Sequence, residues 1–185
     1  MPSLRTSYWK DDGFMQKFIF GLVLKCLVLA LVASPVYAQA KKAKVGDRIG
    51  AWTFQCQAIS ADQNVCALVQ AVLNKKTNKQ VMRAVIRSVG AGKAQKMGLF
   101  ITLPLGIFLA PGVAGKVDEG KQFSFVLQAC REGGCEAAIE LDSKLQKAMK
   151  SGKTLVVGFK TSAGADAVGI PLSLNGITAG LAALK

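Results

Sequence analysis

Two short cysteine spacings constrain this chain more than any other feature: Cys56 to Cys66 within WTFQCQAISADQNVCALVQ, and Cys130 to Cys135 within VLQACREGGCEAA. Both follow an N-terminal segment that reads as an export signal, and an even number of cysteines in an exported protein favours disulfides over metal ligation or a redox nucleophile. Four cysteines allow three connectivities. Local pairing is favoured by geometry, because a tight turn over Glu132-Gly133 sets Cys130 opposite Cys135 and a turn near Ala61 sets Cys56 opposite Cys66. Each bond then staples a hairpin. Loops this short constrain the unfolded chain modestly, so each disulfide is expected to contribute about 2–3 kcal/mol.

The signal is read from Met15. Lys17 supplies the positive charge, Phe18 to Ala33 form an apolar core interrupted by Lys25, and Val36-Tyr37-Ala38 offers small residues for cleavage after Ala38. Residues 1–14 then read as an over-extended start, 15–38 as the cleaved signal, 39–45 as a Lys- and Ala-rich flexible leader, and 46–185 as a single domain. An apolar core of 16 residues is short of the roughly 20 needed to span a bilayer. Cys26 leaves with the signal.

The whole chain carries a formal charge of +13. Positions 1–38 take four of its 24 basic and two of its 11 acidic residues, leaving 20 against 9, or +11, on the mature domain. Such a balance suits an anionic partner, and also a loose peripheral association with phospholipid headgroups or anionic envelope polysaccharide. Nucleic acid fits the charge but not the export signal, the lack of a binding motif or the scarcity of aromatic residues for stacking. The oligomeric state is not set by the sequence.

Strand periodicity dominates the mature chain. GAWTFQCQ and VCALVQAV form the first stapled hairpin, NKKTNK a polar turn, and QVMRAVIRS a third strand with Met82, Ala84 and Ile86 inward and Arg83 and Arg87 outward. MGLFITLPLGIFLAPGV is broken by Pro104, Gly106 and Pro111; its first half is expected to be a strand buried on both faces and its second half a loop or short strand. If Ile107, Phe108 and Leu109 are exposed they make a sticky tip, although core burial is the plainer expectation. QFSFVLQAC and CEAAIEL form the second stapled hairpin. Ser143 with Gln146 suggests a capping box opening a helix that ends at Ser151-Gly152, with Leu145, Ala148 and Met149 on its apolar face. TLVVGFKT and VGIPLSL add strands, and GITAGLAALK reads as a short helix or an irregular strand. Seven to nine strands and one helix near 143–151 predict an all-β fold, an antiparallel β-sandwich of jelly-roll-like type.

The chain has no histidine, which removes Ser-His-Asp and Cys-His nucleophile arrangements and His-based zinc sites. No cofactor, no metal and no catalytic residue is expected. Carboxylates are the remaining route to chemistry: Glu136, Glu140 and Asp142 fall on one face of a predicted strand. Glu136 and Glu140 would stand ~13 Å apart, too far for either glycosidase geometry, and Glu140 and Asp142 ~6.6 Å, at the low edge of the inverting range. The plainer reading is a solvated face with Asp142 beside a helix N-terminus. SGKT at Ser151 to Thr154 lacks the upstream glycine of a phosphate loop, since position 147 is Lys147. The best contact patch the residues offer is basic: Lys75, Lys76 and Lys79 in the polar turn, with Arg83 and Arg87 on the strand after it.

The runs WTFQCQ, CALVQ, MGLFITLPLGIFLAPGV, GKVDEGKQFSFVLQACREGGCEAAIELDSKLQKAMKSGKTLVVGFKT and VGIPLSLNGITAGLAAL, in this order, resemble the invasion-associated locus B family of exported bacterial proteins. The resemblance covers about Gly46 to Leu184. It implies a β-sandwich in the periplasm or at the outer membrane, linked by name to invasion of host cells by some pathogens. It brings no enzymatic activity and no catalytic residues, and transfers only Cys56, Cys66, Cys130 and Cys135 as structural disulfides.

Overall fold

In the computed structural model, residues 42–60 and 63–185 are described; the expected signal segment and start extension, Cys26 and the expected turn at Ala61 lie outside them. Ten strands form one antiparallel succession. They are β1 (Arg48–Ile49), β2 (Trp52–Ser60), β3 (Gln63–Leu73), β4 (Gln80–Val89), β5 (Lys96–Leu103), β6 (Val113–Val117), β7 (Phe123–Arg131), β8 (Gly134–Glu140), β9 (Thr154–Phe159) and β10 (Val168–Ser173). Their spatial order is β1-β2-β3-β4-β5-β8-β7-β6-β9-β10. Two helices accompany them, α1 (Ser143–Ser151) and α2 (Ile177–Ala183). The sandwich-like all-β architecture expected from the strand periodicity is the one observed.

Alternation explains the core. Trp52 and Phe54 on β2, Leu68 on β3, Met82, Ala84 and Ile86 on β4, and Leu99, Ile101 and Leu103 on β5 all point to one side and are buried with Leu155, Leu172, Ile177 and Leu181. The ends of the sheet curl around this core and meet. Gln70 on β3 is only 8% exposed; its Nε2 donates to the Ser173 carbonyl at 2.9 Å and its Oε1 accepts from the Ser173 N–H at 3.0 Å. A side-chain amide thus takes the place of a neighbouring strand at β10, whose next outward position, Pro171, has no N–H to offer. The Ala51 N–H donates to the Asn175 carbonyl at 3.0 Å to complete the seam. Helix α2 lies against the same core, and Gly180 lets it approach because the Leu68 side chain fills the space a Cβ would need.

Several expectations change. The strand Lys96–Leu103 is not buried on both faces: Leu99, Ile101 and Leu103 are buried, while Phe100 and Thr102 on its other side are half-buried. The described residues hold ten strands rather than seven to nine, with β1 and β6 as the additional ones. The cap of α1 is Asp142, not Ser143; its Oδ1 accepts from the Leu145 N–H at 2.7 Å, while the Gln146 Nε2 reaches back to the Leu141 carbonyl at 2.7 Å. The carboxylate wins the N-terminus because an acceptor with negative charge is best placed there. The chain's end is a helix rather than an irregular strand. The loop after β5 divides: Ile107 is buried, Phe108 half-buried and bridged to Lys160, and Leu105 and Leu109 exposed. Of the leader, Ala43 packs against the core and the Lys44 N–H donates to Asp47 Oδ2 at 2.8 Å.

Asp118 ties the β6–β7 turn to the start of β9. It sits at φ 45°, its N–H donates to the Thr154 carbonyl at 2.9 Å, and its carboxylate accepts from the Lys153 and Thr154 N–H groups at 2.9 Å each. The Lys153 N–H, then the Thr154 N–H and the Lys153 charge, hold its carboxyl below its ordinary value of 3.8. A depressed carboxylate contributes stability that is present above the unfolded-state pKa and is lost as pH falls through the folded one. Asp118→Asn, which tolerates the left-handed backbone, is therefore expected to flatten the decline of Tm below about pH 4. An unchanged acid limb in pH-dependent thermal melts would remove this role.

Candidate functional site

The sequence-derived basic patch is divided by the structure into two parts. Lys75, Lys76 and Lys79 occupy the β3–β4 turn and are exposed. That turn is built by Asn74, whose Oδ1 accepts from the Lys76 N–H at 2.9 Å and the Thr77 N–H at 3.1 Å, and by Asn78 in the left-handed region at φ 55°. Arg83 and Arg87 lie farther along β4, half-buried on the sheet face turned away from the core. Among the described residues the ion pairs are Lys96–Glu140, Lys116–Glu119 and Arg131–Glu136. None engages the five basic residues of the patch.

The outward sheet face is more apolar than the alternation of arginines suggested. Strand register puts Val69, Val85, Phe100, Ala138 and Val126 side by side across β3, β4, β5, β8 and β7. On one side of this row run Ala71, Arg83, Thr102 and Glu136; on the other run Ala67, Arg87, Gly98 and Glu140. A groove of about 560 Å³ opens over the β2–β5 part of the face, lined by Arg83, Arg87, Val69, Val85 and Phe100 among others. The Arg87 guanidinium stacks on the Phe100 ring, 4.6 Å from its centroid. That ring folds over Gly98, where a Cβ would stand 2.8 Å from Phe100 Cε2.

The apolar row was missed in the sequence because its members are interleaved with better core candidates. The available signal was that VCALVQAV and MRAVIRS are apolar at both parities, so that Val69 and Val85 must face away from Leu68 and Ile86.

Each of the three carboxylates has a partner of its own. Glu136 sits 3.7 Å from Arg131 and Glu140 2.8 Å from Lys96, both as exposed ion pairs. The strand ends at Glu140, and Asp142 is committed to capping α1. Among the described residues no cluster of three potential metal ligands occurs, and no helix is long and apolar enough to cross a membrane.

Both disulfides are formed as local pairs. Cys56–Cys66 links directly opposed residues of β2 and β3, and Cys130–Cys135 links opposed residues of β7 and β8, each with Cα atoms 3.9 Å apart. The pairs bracket the outward face: one hairpin contains β3 with Val69, and the other contains β7 and β8 with Val126 and Ala138.

Comparison with known proteins matches this architecture and its sequence together. Two proteins described as invasion protein B homologs, from Brucella abortus strain 2308 and Brucella abortus biovar 1 strain 9-941, are each 29% identical over 130 residues, covering 70% of this chain and 73% of the relative. The crystal structure of invasion associated protein B from Bartonella henselae superposes with a TM-score of 0.66 at 24% identity, over 76% of this chain and 95% of the other, and so shares the fold. The family profile described as invasion associated locus B (IalB) protein matches residues 52–185, from the first core tryptophan to the C-terminal residue, and the chain belongs to that family.

Proposed function

We propose that this protein is an exported, non-enzymatic component of the cell envelope, in the periplasm or at the outer membrane, that binds an anionic envelope or host-surface partner through its basic surface. The observation that carries this reading is the exposed lysine turn: Lys75, Lys76 and Lys79 project from a turn pinned by Asn74 and have no carboxylate partner among the described residues. Three cations without counter-ions, on a domain with excess positive charge, attract a polyanion at long range and release it as salt screens them. Two structural disulfides support maturation in an oxidising compartment. Commitment of Glu140 to Lys96 and of Asp142 to a helix cap favours recognition over glycan hydrolysis. The relatives in Brucella and Bartonella carry invasion in their descriptions, which favours a partner at or beyond the cell surface.

The test is co-sedimentation with vesicles of phosphatidylcholine containing phosphatidylglycerol, and with an anionic polysaccharide, at low and physiological salt. Reversal of Lys75, Lys76 and Lys79 to Glu is expected to weaken binding roughly tenfold or more at low salt, with less effect as salt rises. Because all three are exposed, Tm is expected to change little. Binding that is indifferent to both salt and the triple reversal would overturn the assignment. Protease treatment of intact cells beside osmotic-shock release decides between the outer surface and the periplasm.

A further inference from the structure

The outward sheet face carries both signs of charge in a pattern that is complementary to itself. Arg83 and Arg87 stand on β4, Glu136 and Glu140 two strands away on β8, with Arg83 and Glu136 in one register row and Arg87 and Glu140 in another. Between those rows lies the apolar row from Val69 to Val126, with Phe100 at its centre on β5. Only nine acidic residues follow position 38, and two of them hold these positions opposite the two arginines.

We infer that this face packs against the same face of a second copy, about a two-fold axis running along β5. Rotation about that axis exchanges the β4 and β8 sides while keeping each register row in place. Arg83 then faces Glu136 of the partner subunit, and Arg87 faces Glu140 of the partner subunit. In the middle row Val85 meets Ala138 of the partner subunit, Val69 meets Val126 of the partner subunit, and the two Phe100 rings meet at the axis. A two-fold axis across the strands would instead set Arg83 over Arg87 of the partner subunit, so charge selects one arrangement. It is an isologous contact, and twisted sheets pack face to face in this aligned manner.

The size fits. Five strands at ~4.8 Å spacing and about eight residues at ~3.4 Å each offer on the order of 650 Å² per subunit, or on the order of 1,300 Å² buried in all, near the low end for a specific interface. Val126 is 65% exposed in the single chain, and burying it gives an apolar gain that core packing does not supply. The ion pairs of Glu136 with Arg131 and Glu140 with Lys96 are exposed and weak, so trading or sharing them costs little. The interface goes beyond the anionic-partner reading and stands without it. It also has a consequence for that reading: the axis keeps both lysine turns at the same end of the dimer, so a polyanion would meet two turns at once.

The experiment is sedimentation equilibrium on the protein recovered from the cell envelope, from about 1 μM to about 100 μM at physiological salt. Self-association to a dimer in this range is expected. Arg83→Glu with Arg87→Glu, and separately Glu136→Arg with Glu140→Arg, should each weaken it by roughly a hundredfold by placing like charges opposite one another. Mixing the two double variants should restore a heterodimer. Val126→Glu, at a position too exposed to affect folding, should also give a monomer. The Lys75, Lys76 and Lys79 reversal should leave dimerisation intact while weakening polyanion binding at low salt, so the two readings fail separately. A protein that stays monomeric throughout the range, a dimer insensitive to the sheet-face variants, or reversals that do not rescue each other on mixing would each overturn the interface.

Discussion

Gly176→Val is expected to lower the melting temperature by roughly 10–15 °C, corresponding to a loss of about 3–5 kcal/mol in a domain of this size. Gly176 has φ 85°, a conformation that a β-branched residue adopts only with strain. A Cβ there would also be driven into the Ile49 carbonyl. The contact is reciprocal: Gly50, at φ 63°, presents its own Cα to the Asn175 carbonyl with no room for a side chain. These two glycines form the seam where the start of the sheet meets the loop after β10, beside the Ala51–Asn175 hydrogen bond. Nothing can yield, because the obstructing atoms are backbone on both sides. Gly133→Ala is the control: that turn glycine has open space around it and no left-handed backbone, so Tm should move by only ~2 °C or less. Thermal unfolding followed by circular dichroism decides the matter, and equal melting of the two variants would show that the seam does not hold the fold.

Trp52→Ala should be comparably severe, at about 3–5 kcal/mol. Trp52 is fully buried at the first position of β2, in the cluster that includes Leu68 and Ile86. Its removal leaves a void that a sheet closed by the Gln70 and Gly176 contacts cannot collapse to fill. Trp52→Phe should cost much less than the alanine variant. The indole Nε1 is buried without a hydrogen-bond partner, so the ring carries a desolvation penalty that phenylalanine does not. Urea unfolding of the two variants measures the difference. Equal losses would mean that the buried N–H costs nothing and that shape alone matters at this site.

The readable part of this fold is the part governed by period two. WTFQCQ and MRAVIRS alternate, and the structure buries Trp52, Phe54, Met82, Ala84 and Ile86 as that alternation requires. Local cysteine spacing was readable for the same reason, because a hairpin brings residues 10 and 5 positions apart directly opposite each other. Where two local signals compete, the stronger acceptor sets the boundary: Ser143 and Gln146 suggest a capping box, but the Asp142 carboxylate takes the Leu145 N–H. Strand β6 escaped because Val113-Ala114-Gly115-Lys116-Val117 is short and glycine-bearing. It becomes a strand only because β7 and β9 flank it on both sides.

By itself, then, the sequence determined the all-β class, the stapled hairpins, the inward side of the core strands and the lysine-bearing polar turn. Each of these depends on neighbours within a dozen residues. The tertiary structure alone decided that Gln70 stands in for a strand at Ser173, that Gly50 and Gly176 meet, and that Arg83 shares a register row with Glu136 and Arg87 with Glu140. Those relations join residues 50 to more than 100 positions apart. Alternation tells a residue which side of a sheet it faces, but only the order and register of distant strands tell it which residues lie beside it there.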